Sequence, residues 1–110
     1  MGLSKIRKHV PNLKTLCKAK RRNIKSMIGN SSPDLVHAIC ECAHNVLKGN
    51  VPLTTRQKKN LGKYKNKLRT LTKKRTSVKK KKLILQSGGF LPLLLGPALG
   101  FLTNLLSPRG

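Results

Sequence analysis

The chain has 110 residues and sets 25 lysines and arginines against two acids, for a formal net charge of +23. That length suits one compact domain with an appendage. With Asp34 and Glu41 as its sole acids, it lacks the carboxylates that general acid–base catalysis and oxygen-ligated metal sites require. Cations that cannot pair internally repel one another unless a polyanion lies against them, and nucleic acid is the densest polyanion available.

Aromatic residues are limited to Tyr64, Phe90 and Phe101. That is too few for the stacking platforms that read single strands, so contact with phosphate backbones is expected instead of base readout. Cys17, Cys40 and Cys42 are an odd set, and MGLSKIRKHV holds no apolar run resembling a secretory leader. A reducing compartment is the expectation.

The first predicted helix runs from about Pro11 to Ile28. Leu13, Leu16, Cys17, Ile24, Met27 and Ile28 share a face, Pro11 sits in the first turn, and Gly29-Asn30 supplies the stop. A second begins with Ser32 as N-cap, Pro33 at the first position and Asp34 on the positive end of the helix dipole. Its stripe of Leu35, Val36, Ile39, Cys40, Ala43, Val46 and Leu47 marks it as the core helix, and Lys48-Gly49 closes it. The third starts at Thr54 or Thr55, with Leu53 as a hydrophobic staple and Leu61, Tyr64, Leu68 and Leu71 as a narrow stripe.

From Thr72 to Lys82 the chain is nearly all cation. It is expected to be disordered or frayed without a polyanion, with Ser77 able to start a short helix into Leu83-Ile84-Leu85. Residues 87–107 hold no charged residue, and Gly88, Gly89, Pro92, Gly96, Pro97 and Gly100 interrupt them. They are long enough to span a bilayer of about 30 Å but broken by poor helix formers. The Gly-Gly hinge and the preceding lysines favour docking elsewhere over completion of the chain's own core. The expected fold is mostly α. It comprises a helical N-terminal module at 1–53, a basic helical arm at 54–86, and a Gly/Pro-interrupted hydrophobic C-terminal tail at 87–110, with about three amphipathic helices in all.

The candidate nucleic-acid-binding residues are Arg56, Lys58, Lys59, Lys63, Lys65, Lys67, Arg69, Lys73, Lys74, Arg75, Lys79, Lys80, Lys81 and Lys82, with no acid among them. As one helix, that stretch would be roughly 40 Å long. Lysines outnumber arginines here, and an ammonium is a point charge without the fork that reads guanine, so binding should be salt-sensitive and indifferent to sequence. The candidate tail contacts, to capsid, membrane or further copies, are Phe90, Leu91, Leu93, Leu94, Leu95, Leu99, Phe101 and Leu102.

His37, Cys40, Cys42 and His44 superficially resemble a zinc set, but one continuous helix cannot surround an ion tetrahedrally. Buried cysteines with solvent-facing histidines are expected, and no metal, cofactor or catalytic residue is assigned.

The junction KKKKLILQSGGFLPLLLGPALGFL, residues 79–102, resembles the adenovirus core protein X family, whose members give rise to the mu peptide, together with its counterparts in adintoviruses and Polinton (Maverick) elements. In that family a DNA-condensing basic segment precedes Gly-Gly, an aliphatic residue, Leu-Pro and a hydrophobic tail. Here the counterparts are Lys79–Lys82, Gly88-Gly89, Phe90, Leu91-Pro92 and Leu93 to Leu106. The chain departs from the pattern in its Lys-rich composition and at Gln86, where the family's protease site carries Met, Ile or Leu. The resemblance implies a DNA-packaging protein of the virion core or host nucleus. Charge and size alone also fit a ribosomal or other RNA-associated structural protein, or a membrane-active basic protein.

Overall fold

The computed structural model describes residues 4–87 and 89–106, and among these every regular element is a helix: α1 (Ser4–Lys18), α2 (Arg21–Gly29), α3 (Pro33–Leu47), α4 (Thr55–Gly62), α5 (Lys65–Thr72), α6 (Val78–Ser87) and α7 (Leu91–Leu106). The expectation of a mostly α chain holds. The expectation of about three helices does not, because two of them divide and two more follow.

The first division falls in the segment expected to run from Pro11 to Ile28. Helix α1 begins earlier, at Ser4, and carries Pro11 in its interior. Ile6 extends the stripe of Leu13 and Leu16 by two turns, and all three are buried. That burial offsets the roughly 3 kcal/mol that an interior proline costs. The helix stops after Lys18 because Lys20 falls where the next apolar residue would stand, within a cluster of Lys18, Arg21 and Arg22. The backbone turns extended at Lys20, φ −66° and ψ 145°, and α2 restarts with Ile24 and Ile28 facing a different neighbour. Helix α1 packs on α3 and α7, whereas α2 packs on α6.

Helix α3 is the central element and forms as its sequence dictates. The Ser32 hydroxyl accepts a hydrogen bond from Leu35 N at 3.1 Å, and Pro33 opens the first turn. At the far end Gly49 takes φ +78°, the left-handed conformation that ends a helix at least cost in glycine. Gly49 N then donates to Val46 O and Asn50 N to Asn45 O. The fully buried Asn45 side chain donates to Glu41 O at 2.8 Å and accepts from Asn50 Nδ2 at 3.0 Å, so its amide lies satisfied in the core.

The second division is at Gly62. Thr54 caps α4 through a reciprocal pair with Gln57, at 3.1 Å and 2.9 Å. The helix then ends, and Tyr64 sits at φ −111°, ψ 15°. The two halves face different partners: α4 meets α7, while α5 meets α3 and α6.

The cationic stretch after Thr72, expected to be disordered or frayed without a polyanion, forms a turn and then α6, which starts after Ser77 and runs through Leu83-Ile84-Leu85 as the sequence allowed; Ser77 caps it by accepting from Lys80 N at 3.1 Å. Long-range bonds hold it in place. Lys82 Nζ donates to Gly29 O at 3.2 Å, and Gln86 Nε2 donates to Lys25 O at 2.8 Å, so α6 satisfies carbonyls at the end of α2. Glycine at 29 permits this approach, since a Cβ there would stand 3.2 Å from Gln86 Nε2.

The hydrophobic tail is the largest correction. It forms α7, bent by 104° from α6, and supplies the core with Phe90, Leu91, Leu94, Leu95, Ala98, Leu99 and Leu102. Each buried Leu or Phe contributes roughly 1.5–3 kcal/mol. Their sum is therefore comparable with the 5–15 kcal/mol of a whole domain's stability. Proline at 92 lies in the first turn of α7, where its missing N–H costs nothing. Helices α1 and α3 present an apolar groove that this segment fills. Gly88 of the Gly-Gly pair and residues 107–110 lie outside the described residues.

All three sequence segments thus contribute to one core. The longest dimension of the molecule is 38 Å and its radius of gyration is 12.9 Å, close to the roughly 13 Å of a compact chain this long. Residues 56–82 are accordingly wrapped over the surface in three short helices instead of projecting as a rod.

Candidate functional site

Eleven of the fourteen candidate cations are exposed: Arg56, Lys58, Lys59, Lys63, Lys65, Arg69, Lys73, Lys74, Arg75, Lys79 and Lys80. The other three are engaged or enclosed. Lys82 caps α2, as above. Lys67 lies 5.9 Å above the Tyr64 ring and donates to Ser87 Oγ at 3.5 Å. Lys81 is 7 % exposed and lines a cleft.

Folding gathers these cations with others from the rest of the chain. One cleft of about 500 Å³ lies between the end of α3 and α5, lined by His44, Leu47, Lys48, Lys65, Arg69 and Thr72. It adjoins a second of about 560 Å³, which shares His44 and Thr72 and adds Lys5, His37, Cys40, Glu41, Leu71, Lys74 and Lys81. Together they make a groove with six Lys or Arg side chains and one carboxylate, Glu41. A third cleft of about 410 Å³ at the α5–α6 turn holds Lys73, Arg75 and Lys80 beside Thr70, Thr76 and Ser77. The Thr76 hydroxyl donates to Thr70 O at 2.9 Å, which fixes this turn.

The groove is strongly positive by its own chemistry. Lys5 Nζ lies 3.5 Å from His37 Nδ1. Burial, followed by the charges of Lys5 and Lys81, holds the His37 pKa below its ordinary 6.5. A neutral His37 accepts from the Lys5 ammonium at Nδ1 and keeps its proton on Nε2. The nearby Cys40 thiol is pushed up to about 11, chiefly by burial. Cys42, deeper in the core, is pushed up to about 12 for the same reason. Neither is a thiolate at neutral pH, so neither is a ready nucleophile or soft ligand.

His37, Cys40, Glu41 and His44 thus line one cleft at helical spacing, while Cys42 faces the core. Cys40 reaches the cleft wall instead of the apolar interior alone. Among the described residues no group of three His, Cys, Asp or Glu side chains is placed to hold a metal ion.

The acids take different positions. Asp34 accepts from His9 Nε2 at 2.8 Å and lies 3.4 Å from Lys8 Nζ, joining α1 to the first turn of α3. Glu41 stands in the groove.

Of the candidate tail contacts, Phe90, Leu91, Leu94, Leu95, Leu99 and Leu102 are buried and Leu93 and Phe101 are half-buried. They are engaged inside the molecule instead of offered at its surface. Among the described residues no single helix is long and apolar enough to cross a membrane.

Lys5, Lys48, His37 and His44 are groove residues outside the sequence-derived set. For Lys48, Lys5 and Lys81 to share a groove, the order of helices must be known. The only sequence signal was His37, Glu41 and His44 recurring at helical spacing on one face of α3. Comparison with known protein families, curated proteins and solved structures finds no match to this chain.

Proposed function

We propose that this chain binds duplex DNA without sequence preference and acts by neutralising phosphates, as a DNA-packaging protein of the virion core or host nucleus. The observation carrying the reading is the surface of α4–α6, where eleven exposed cations stand with no acid among residues 56–82. Duplex DNA carries one charge per about 1.7 Å, and each lysine set against a phosphate releases condensed counterions. A domain with a longest dimension of 38 Å presents its cations over many phosphates at once. Tyr64 is half-buried against Phe90, which leaves little aromatic surface for stacking on bases and favours backbone contact. The resemblance of residues 79–102 to the core protein X family supports the virion setting.

The hydrophobic segment enters this function as the helix that holds the basic surface in shape. The burial of its leucines and of Phe90 favours this role over a membrane-active one. Competition of fluorescent duplex DNA with unlabelled duplex and with structured RNA tests the proposal. Duplex is expected to bind tightly at low salt and to be displaced least by RNA. Preference for structured RNA would move the assignment to an RNA-associated protein, and indifference to both polymers would end it.

A further inference from the structure

The 560 Å³ cleft holds a feature that a solvated basic surface does not need. Lys81 is 7 % exposed and lies in the cleft wall, and its Nζ makes no hydrogen bond or ion pair with a described residue. A lysine whose stem is this buried holds its ammonium in one place, and no carboxylate is bonded to it there, so its charge is left to be met from the cleft. Its neighbours add to the imbalance. Lys5 enters from α1 and Lys74 from the α5–α6 turn, His37 and His44 supply ring nitrogens from α3, and Glu41 is the one carboxylate. The low His37 pKa, caused after burial by Lys5 and Lys81, registers the same positive field.

The shape narrows the occupant. An internal phosphodiester carries sugar on both sides and must pass along a surface. A charge set on so buried a side chain in the cleft wall is reached best by a compact group that ends the molecule bearing it. Three lysines against one carboxylate match a doubly charged group better than a singly charged one. No Phe, Tyr or Trp lines the cleft, and its rings are the imidazoles of His37 and His44, so it offers little surface for stacking on a base. We propose that the cleft between α1, α3, α5 and α6 seats a terminal phosphate dianion, held by Lys81 at its floor and by Lys5 and Lys74 at its rim. The group belongs either to free phosphate and polyphosphate or to a 5′-phosphorylated nucleic-acid end.

Isothermal titration of the full chain with orthophosphate and with tripolyphosphate, at ionic strength held constant with potassium chloride, tests this. Lys81→Met keeps the stem and removes the charge, and it is expected to weaken both by about tenfold or more, the cost of one charge-assisted contact of roughly 1.5–3 kcal/mol. Lys74→Met, at an exposed position, is expected to weaken them several-fold, and carries the test if Lys81→Met loses its helical circular dichroism. Lys14→Met, at an exposed position outside the cleft and outside residues 56–82, is expected to leave both unchanged within twofold. A folded Lys81→Met with wild-type affinity, or wild-type heats no larger than those of added chloride, would overturn the site. A blunt duplex with and without 5′-phosphates separates the two sources. A preference for phosphorylated ends that Lys81→Met removes assigns the site to nucleic-acid ends. Binding of the small phosphates with no such preference assigns it to free phosphate. Loss of duplex binding altogether would sink the DNA-packaging reading and leave this site standing.

Discussion

The ring of Tyr64 stacks on that of Phe90, with centroids 5.4 Å and planes 28° apart. The contact joins the break between α4 and α5 to the entry of α7, and it commits two of the chain's three aromatic rings to its own interior. Phe90 is fully buried. Phe90→Ala is expected to destabilise the fold by about 3–5 kcal/mol, and Leu94→Ala by about 2–5 kcal/mol, both read from the urea midpoint. Tyr64→Leu, which keeps the apolar contact, should alter duplex affinity by less than twofold. A large loss of affinity in that variant would show that the ring meets bases.

Salt dependence checks the electrostatic basis of the proposed function. The plot of log K against log salt should be linear and steep for duplex DNA. Each of Lys65→Gln and Arg69→Gln should lower its slope by about 1 in magnitude while weakening unrelated sequences equally. A slope unchanged in both variants would place the phosphates elsewhere.

Acid titration should reveal the α1–α3 link. The hydrogen bond from His9, aided by Lys8, holds the Asp34 carboxyl below its ordinary 3.8 against the opposing effect of desolvation. A depressed native pKa stabilises the fold at pH values above the unfolded pKa, and that contribution disappears as pH falls through the native one. Asp34→Asn is therefore expected to lower the urea midpoint at neutral pH, and the gap to wild type should close below about pH 4. A gap that persists to pH 2 would mean that packing, not charge, is what Asp34 contributes.

The cysteines give a probe of local opening. With thiols pushed up to about 11 and about 12 by burial, Cys40 and Cys42 should resist iodoacetamide at pH 8 in the folded protein and react only with the urea transition. Fast alkylation of Cys42 in native buffer would show that α3 is not enclosed.

The local rules of the chain were legible wherever a few neighbouring residues decide the outcome. Ser32-Pro33 at the start of α3, Gly49 at its end and Ser77 before α6 act as their types require. The hidden parts depended on partners. Lys20 interrupts the stripe that Leu13 and Leu16 begin, but a single lysine does not announce that the next helix will turn toward α6. The uncharged run after Ser87 has one composition whether it meets lipid, another protein or its own core, and only the groove between α1 and α3 decides among them. In the candidate site, the exposed cations followed from charge alone. The groove required Lys5, Lys48 and Lys81 to converge from distant parts of the chain, and no spacing rule carries that.

The contact between α1 and α7 also orders events during synthesis. Helix α1 leaves the ribosome first among the described elements, and the surface that covers its apolar face leaves last. Until Leu102 has emerged, Ile6, Leu13 and Leu16 lack that cover, beside a lengthening run of lysines that the nearby ribosomal RNA attracts. Packing of the finished domain is therefore a late event, with the slow closure expected of pairings far apart in the chain.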